Sequence, residues 1–483
     1  MARCRSLPTI ESLVRFGTSG LRGPASAFTP MLCTAYIRAF LDMALETANT
    51  RSALIGMDRR ATSPAIAGHC LAAIAAAGWT PQFCGILPTP ALAHRAFAEH
   101  CPAIMVTGSH IAGDLNGLKF FLPQREIGKT DEADILARLE PDAPAIEGLV
   151  PPEPDATAAT LYGARYARAF APDCLKGLTV GIHMHSSAGG DLLVRVVEAL
   201  GGRAIPFGQS ATFVAVDTEA LSSSFRQVVH DFQAENSVDA VISTDGDGDR
   251  PLLFDRAGAQ VPGDLLGCLA ARALGIEKLA VPVNVSSAIE KTGSFHTVTR
   301  TRIGAPHVLD ALNALASSGG AVAGFEANGG FILGSPLALT HGDLPALPTR
   351  DAILPLVAVL GQMASLGQSV SELVAALPRR VMVADRIAGV QGFEAQRLLD
   401  DLATRSATRQ SLDPLLAGPL HMDRTDGVRL ILRDGTIVHF RQSGNAPEFR
   451  IYVETENNAE STAKVQALMI AVAEAFQNAT WEN

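Results

Sequence analysis

The chain has 483 residues, 47% hydrophobic and 18% charged, with 39 Lys and Arg against 49 Asp and Glu, a formal net charge of −10. That length suggests three or four domains of roughly 100–150 residues each, and the apolar fraction excludes disorder as a dominant state. A net acidic chain is poorly suited to neutralising nucleic-acid phosphates, so no nucleic-acid partner is expected, and an anionic ligand must be met by local Arg, Lys and backbone N–H groups.

The N-terminal segment lacks the apolar stretch of a secretion signal, and no apolar run reaches the ~18 residues of a spanning helix. Seven scattered cysteines without C-x-x-C spacing point to a reducing compartment and away from zinc. The chain therefore reads as cytoplasmic, with no membrane partner.

The first loop of note is FGTSGLRG, 16–23, with Arg22 bracketed by glycines; alone it is a turn. Residues 54–85 read as the strand LIGM, the loop DRRATSP, a helix AIAGHCLAAIAAAG ending at Gly78, and the strand WTPQFCG. A buried-type strand then runs into Thr107-Gly108-Ser109-His110, and an Asn116-Gly117 turn returns the chain to Lys119. The hydrolase elbow G-x-S-x-G is absent there. Taken alone, Ser109 is a turn or capping serine and His110 a packed or solvated histidine.

The stretch 141–158, rich in Pro, Ala and acids, marks a connector. Residues 178–208 repeat the earlier scheme: LTVGIHM, HSSAGG, DLLVRVVEALG and GRAIPFG. Gly56 to Gly78 is 22 residues and Gly181 to Gly201 is 20, and seven more lead to Gly85 or Gly208. Shared βα physics and a true repeat of related domains both account for that spacing.

The apolar run AVIST leads into DGDGDR, 245–250, at the carboxyl end of a strand, where open α/β sheets place ligands. Asp245, Asp247 and Asp249 alternate with glycines, so a curved loop can converge three carboxylates. Such convergence is costly without a cation, and oxygen-only ligation suits Mg²⁺. An EF-hand is excluded, because Arg250 and Arg256 stand where it needs Gly and Glu.

A third unit begins at LAVPVNVSSAIEKTG, 279–293, with a shorter helix. The glycine-rich GFEANGG, 324–330, carries Glu326 and Asn328 and suits sugar hydroxyls, although alone it reads as a flexible turn. The final hundred residues read as strands around an Asp434-Gly435 turn, the strand FRIYVET, and a closing helix, an α+β pattern. Between two of those strands, RQSGNAPEFR, 441–450, is either a phosphate cradle or a hairpin loop satisfied by its own polar groups. P-loop, G-x-G-x-x-G and H-E-x-x-H motifs are absent, so neither ATP nor NAD(P) is indicated.

Together these five loops resemble, in order, those of the α-D-phosphohexomutase family, which includes phosphoglucomutases and phosphomannomutases. TGSHIAGDLNGLK resembles its phosphoserine loop, DGDGDR its metal loop, TRIGAPHV (301–308) and GFEANGG its sugar loops, and RQSGNAPEFRIYVE its phosphate loop. The resemblance implies three related α/β domains plus a smaller C-terminal α+β domain around a central cleft. They would be a phosphoserine domain at 1–150, a metal-binding domain at 151–260, a sugar-binding domain at 261–375 and a phosphate-binding domain at 376–483. It also implies interconversion of hexose 6-phosphate and hexose 1-phosphate, mannose slightly before glucose, through a hexose 1,6-bisphosphate.

By the same resemblance Ser109 carries the phosphoryl group and shares Mg²⁺ with Asp245, Asp247 and Asp249. Arg22, Lys119, His110 and Arg250 line the transfer site. Ser19, Gly304, Glu326 and Asn328 bind substrate, and Arg441, Ser443, Gly444 and Asn445 grip the phosphate not being transferred. The partners implied are small-molecule sugar phosphates; no oligomeric state follows.

The chain also departs from the family pattern. Gly108 replaces Ala, Ile111-Ala112 replace Asn-Pro, Asn445-Ala446 replace Thr-Glu, and Gly330 stands where the family has a histidine associated with proton transfer. His307 and His341 are candidate substitutes, each with a plain structural reading. The departures keep two alternatives open: a hexose-1,6-bisphosphate synthase and a catalytically impaired sugar-phosphate-binding relative.

Overall fold

The computed structural model describes residues 14–17, 19–140, 142–444 and 447–478. Among the described residues four larger sheets follow one another along the chain, with a two-stranded ribbon, Leu337–Ala338 against Asp343–Leu344, between the third and the fourth. The first holds β1 (Ser52–Met57), β2 (Thr80–Ile86), β3 (Ala103–Val106) and β4 (Leu115–Leu122). The second holds β5 (Thr179–His185), β6 (Arg203–Gln209), β7 (Ala240–Thr244) and β8 (Pro251–Asp255). The third holds β9 (Lys278–Pro282), β10 (Thr297–Thr301), β11 (Val322–Phe325) and β12 (Phe331–Leu333).

These twelve strands repeat one topology three times. The first strand of each set lies between the second and third, parallel to both, and the fourth runs antiparallel to the third. A parallel partner requires a crossover, supplied by the helices Ser63–Ala76 and Gly190–Ala199 and, in the third set, by the short helix Ala288–Lys291. The glycine spacing noted in the sequence has a backbone counterpart. Gly78 and Gly85 take φ 77° and 75°, and Gly201 and Gly208 take 83° and 64°. These are left-handed positions that glycine fills without steric cost. The related-domain reading therefore prevails over coincidence.

The 141–158 connector straps across the helix Ser63–Ala76, where Leu149 N–H donates to Gly68 O at 3.1 Å. Its last residues are already helical, in Thr157–Ala169. One apolar core runs unbroken from Leu54 and Phe121 through Tyr162, Ile182 and Leu193 to Phe325 and Leu360, joining the three α/β domains. Fully burying each such side chain contributes roughly 1.5–3 kcal/mol.

The C-terminal sheet is antiparallel throughout. It holds β13 (Val381–Ala388), β14 (His421–Asp423), β15 (Val428–Ile431), β16 (Ile437–Gln442) and β17 (Glu448–Thr455), in the order β13-β17-β16-β15-β14. It has a core of its own, with Leu402, Leu430, Phe440, Ile451 and Val472. The expected architecture, three related α/β units and a smaller α+β unit, is the one observed. Among the described residues no helix is long and apolar enough to cross a membrane.

Candidate active site

In each α/β domain the loop from the third to the fourth strand leaves a carboxyl end where parallel pairing gives way to antiparallel, the usual position of a ligand crevice. Those loops are the Ser109 loop after β3, DGDGDR after β7 and EANGG after β11.

Ser109 is fully buried and sits at φ 53°, a left-handed conformation that costs a non-glycine residue on the order of 1 kcal/mol. Two groups hold it there. Its N–H donates to Thr107 Oγ1 at 2.7 Å, and the buried Arg60 guanidinium gathers the loop carbonyls. Arg60 donates to Ser109 O at 2.9 Å, Ile111 O at 2.7 Å, Ala112 O at 2.6 Å and Leu115 O at 3.1 Å. It also pairs with Asp58 at 3.1 Å and lies 3.9 Å over the Phe213 ring. The Gly108 departure follows from this clamp, since a Cβ at 108 would stand 2.8 Å from Arg60 Cζ.

The serine hydroxyl crosses to the second domain, donating to Asp245 Oδ2 at 2.9 Å. Asp245, Asp247 and Asp249 are all buried, and one carboxylate oxygen from each lies within 4.8 Å of the others. Asp245 Oδ1 accepts the Asp249 and Arg250 N–H groups at 3.2 and 3.1 Å. Thr89, at the start of the helix Thr89–Glu99, donates its hydroxyl to Asp247 Oδ2 at 2.7 Å and its N–H to Asp247 O at 2.8 Å. Asp247 Oδ1 and Asp249 Oδ1 are buried without a hydrogen-bond partner among the described residues. Orphaned carboxylate oxygens beside a third carboxylate are the donor set of a hard cation, so the residues fit Mg²⁺.

Cations offset part of this charge. Lys119 Nζ on β4 donates to Asp247 Oδ2 at 2.6 Å and Asp249 Oδ2 at 2.7 Å. Arg350, on the strand Leu347–Asp351, bonds Asp249 Oδ2 at 2.8 Å, Glu326 Oε2 at 3.2 Å and Ser19 Oγ at 3.3 Å. Asp351 steadies it from the next position, accepting the Tyr162 and Tyr166 hydroxyls at 2.6 Å each. Burial and the two neighbouring carboxylates push Asp245 well above the carboxylate range, while Lys119 holds Asp247 below it against the cost of burial.

Arg22 lies on Leu21–Pro24, a strand antiparallel to β4, and is pushed down to about 10, first by burial and then by the like charge of Arg250. His110 is pushed down to about 2 by burial and by Arg250 and Arg22, and its buried Nδ1 has no partner. Arg250 Nε is likewise buried without a hydrogen bond among the described residues, its nearest charge partner being Asp249 Oδ1 at 3.9 Å. Repelling guanidiniums and an orphaned imidazole around one serine form a site that gains by admitting a dianion. Ser19 also belongs to this cluster and donates to Glu126 Oε1 at 2.9 Å.

In the sugar loop, Glu326 pairs with Arg350, and Asn328 Oδ1 accepts the Gly330 N–H at 2.9 Å. Gly304 takes φ 125° at the start of the helix Ala305–Ala316. Its neighbours fasten the third domain to the fourth: Ile303 N–H donates to Asp426 Oδ2 at 3.0 Å and Arg302 Nε to Thr425 O at 3.2 Å. Arg441 on β16 pairs with Asp426 at 3.3 Å, and its Nε is buried without a hydrogen-bond partner among the described residues. A cavity of about 470 Å³ there is lined by Arg302, Arg424, Arg441, Ser443 and Gly444. Asn445 lies outside the described residues.

His341 is exposed on a loop whose Gly342 packs against Arg168 O, and His307 sits on the helix after Gly304; neither lines the space enclosed by the sugar and phosphate loops. Sequence reasoning missed Arg60, Thr89, Arg350, Arg302 and Arg424. Arg302 stood inside a string read as a site loop, TRIGAPHV, and Arg60 inside DRRATSP, read only as a connecting loop.

Three models of the phosphoglucomutase/phosphomannomutase family match successive segments: α/β/α domain I over residues 13–144, domain II over 164–258 and domain III over 262–381. A phosphomannomutase of Salmonella muenchen is 38% identical, covering 95% of this chain and 95% of its own. The chain belongs to the α-D-phosphohexomutase family. A phosphomannomutase of Sinorhizobium fredii is 39% identical over 92% of this chain and 95% of its own. The solved structure of a phosphoglucomutase/phosphomannomutase family protein from Burkholderia thailandensis shares the fold, with TM-score 0.76 at 18% identity over 95% of this chain and 97% of that one. As a member of the family, the protein is an intramolecular phosphotransferase of hexose phosphates.

Proposed function

We propose that this phosphohexomutase interconverts mannose 6-phosphate and mannose 1-phosphate, with glucose phosphates as second substrates, in the cytoplasm. Ser109 carries the phosphoryl group and a hexose 1,6-bisphosphate is the intermediate. The observation that carries this reading is the 2.9 Å bond from Ser109 Oγ to Asp245 Oδ2, which joins a strained serine to three buried aspartates across a domain boundary. The mannose preference is supported by two relatives named phosphomannomutase at 38% and 39% identity.

Asp245, Asp247, Asp249 and the serine oxygen would hold Mg²⁺. Bound there, the ion supplies positive charge that offsets the phosphoryl oxygens during transfer. The rest of the task is positioning. Lys119 and Arg350 fix Asp247 and Asp249 by their Oδ2 atoms, which leaves their Oδ1 atoms without a hydrogen bond and available to a cation. Arg22, Arg250 and His110 present donors to the phosphoryl group. Glu326 and Asn328 orient sugar hydroxyls, while Arg441, Ser443, Gly444 and Asn445, aided by Arg302 and Arg424, hold the distal phosphate. Exchanging the two phosphates between these subsites turns a 6-phosphate into a 1-phosphate without net consumption of a donor.

The test is a coupled assay with Mg²⁺, a trace of hexose 1,6-bisphosphate, and mannose 1-phosphate or glucose 1-phosphate, following the 6-phosphate. Turnover of both, faster for mannose and abolished by Asp247→Ala, is expected. Net accumulation of bisphosphate from a phosphoryl donor, or binding of hexose phosphates without turnover, overturns the proposal.

A further inference from the structure

The two glycines of the metal loop answer different needs. Gly248 takes φ 73°, a turn that glycine makes without steric cost. Gly246 has no such left-handed φ, so contact rather than conformation favours glycine there. A Cβ at 246 would stand 3.0 Å from Ser109 O and 3.0 Å from both Cε2 and Cζ of Phe213.

Phe213 stands on the loop after β6, which is tied on both sides of it. Ser210 N–H donates to His185 O at 2.9 Å, Ser210 Oγ to Thr212 O at 2.7 Å and Val214 N–H to Ser186 Oγ at 2.7 Å. Val214 and Val216 pack with Phe225, Val229 and Phe254 in the apolar core of the second domain. Phe213 turns away from that core and crosses to the first domain, where Arg60 lies 3.9 Å from its ring centre and a Cβ at Gly113 would stand 3.6 Å from its Cδ1. Arg60 directs its N–H groups to Asp58 and to the carbonyls of the Ser109 loop, and its flat face is left for an aromatic ring. The half-buried ring therefore meets both halves of the transfer site: the cation that gathers the serine loop, and the glycine between Asp245 and Asp247.

We propose that Phe213 is a positioning residue for phosphoryl transfer: its ring, wedged between the face of Arg60 and Gly246, sets the register of the Ser109 loop against the three aspartates. This rests on the mutase reading above. A side chain without a flat ring lets Arg60 tilt and lets Gly246 move into the vacated space. Both shifts carry Ser109 Oγ away from Asp245, the contact on which transfer depends. Glu326, Asn328, Arg441 and Ser443 belong to the third and fourth domains, so the hold on the sugar phosphate does not run through this seam.

The experiment measures kcat and KM for mannose 1-phosphate in Phe213→Leu, alone and combined with Arg60→Met or with Gly246→Ala. Folding of each variant is checked by its urea midpoint. F213L should lower kcat about tenfold, short of the ~10²-fold of a 1 Å misplacement, with KM within about threefold of wild type. Residues that act through one another are not additive. Once Arg60→Met has removed the cation, or the Gly246→Ala methyl has already displaced the ring, F213L should therefore cost less than about threefold more. Two backgrounds are used so that the coupling can be read even if one of them does not fold. A loss in kcat below about threefold in F213L alone overturns the assignment, as does a change carried by KM. So does the full tenfold loss in either background, the result of a side chain that only adds stability. A wild-type enzyme that turns over no hexose phosphate overturns the mutase reading, and this assignment with it.

Discussion

Arg60→Met isolates how the Ser109 loop is held. Arg60 makes four hydrogen bonds to loop carbonyls and one contact to Asp58, and its side chain is fully buried. Met has similar length and no donor, so four carbonyls lose their partner and Asp58 loses its counter-charge. Each hydrogen bond from a charged donor is worth about 1.5–3 kcal/mol, but the losses share one group and are not additive. Breaking one side of a buried ion pair typically costs about 3–5 kcal/mol, and that is the expected destabilisation. Asp58 keeps bonds from Ser63 at 2.6 Å and Thr107 at 2.7 Å, which places the loss toward the lower end. Trp79, buried in the first domain, reports unfolding by fluorescence in a urea titration. Freed from the clamp, Ser109 should relax from φ 53°, and a misplacement of about 1 Å costs on the order of 10²-fold in kcat. Arg60→Lys, with three donors instead of five, should fall between. Wild-type kcat/KM together with a wild-type urea midpoint in Arg60→Met would refute the clamp.

Gly330→His should destabilise the protein and lower kcat/KM, because its Cβ must displace Arg350 from Asp249 and Glu326; a gain in activity contradicts the packing described. His183 and His185, buried among Phe207 and Phe225, are pushed down to about 3 and about 4, chiefly by burial. The folded state resists their protonation while the unfolded chain takes it up near pH 6.5. Stability should therefore be intact above that pH and fall toward pH 4, by up to about 1.4 kcal/mol per pH unit per histidine. His183→Phe should flatten the decline, measured as urea midpoints at pH 5 and pH 8; an unchanged slope refutes the assignment.

What the sequence made legible was mostly local. Asp245, Asp247 and Asp249 sit in one hexapeptide, and the Gly78/Gly85 and Gly201/Gly208 spacing encodes the repeat because those turns need left-handed residues. The fold class followed from such short-range patterns. Residues whose roles arise from domain packing were not legible. Arg350 stands in the unremarkable string LPTRD, about a hundred residues from Asp249, and becomes a site residue only when the third domain closes on the second. Arg60 hides in a loop read simply as a connection, and its importance lies in carbonyls some fifty residues away. The missing histidine at Gly330 was noticed, but its cause, Arg350 occupying the space, is a fact of tertiary packing.

The most direct measurement is transfer of label from hexose 1,6-bisphosphate carrying ³²P to the protein with Mg²⁺ present. One phosphoryl group per chain at Ser109, absent from Ser109→Ala and discharged by mannose 1-phosphate, is the predicted result. Label on another residue, or label that persists in Ser109→Ala, would contradict the account.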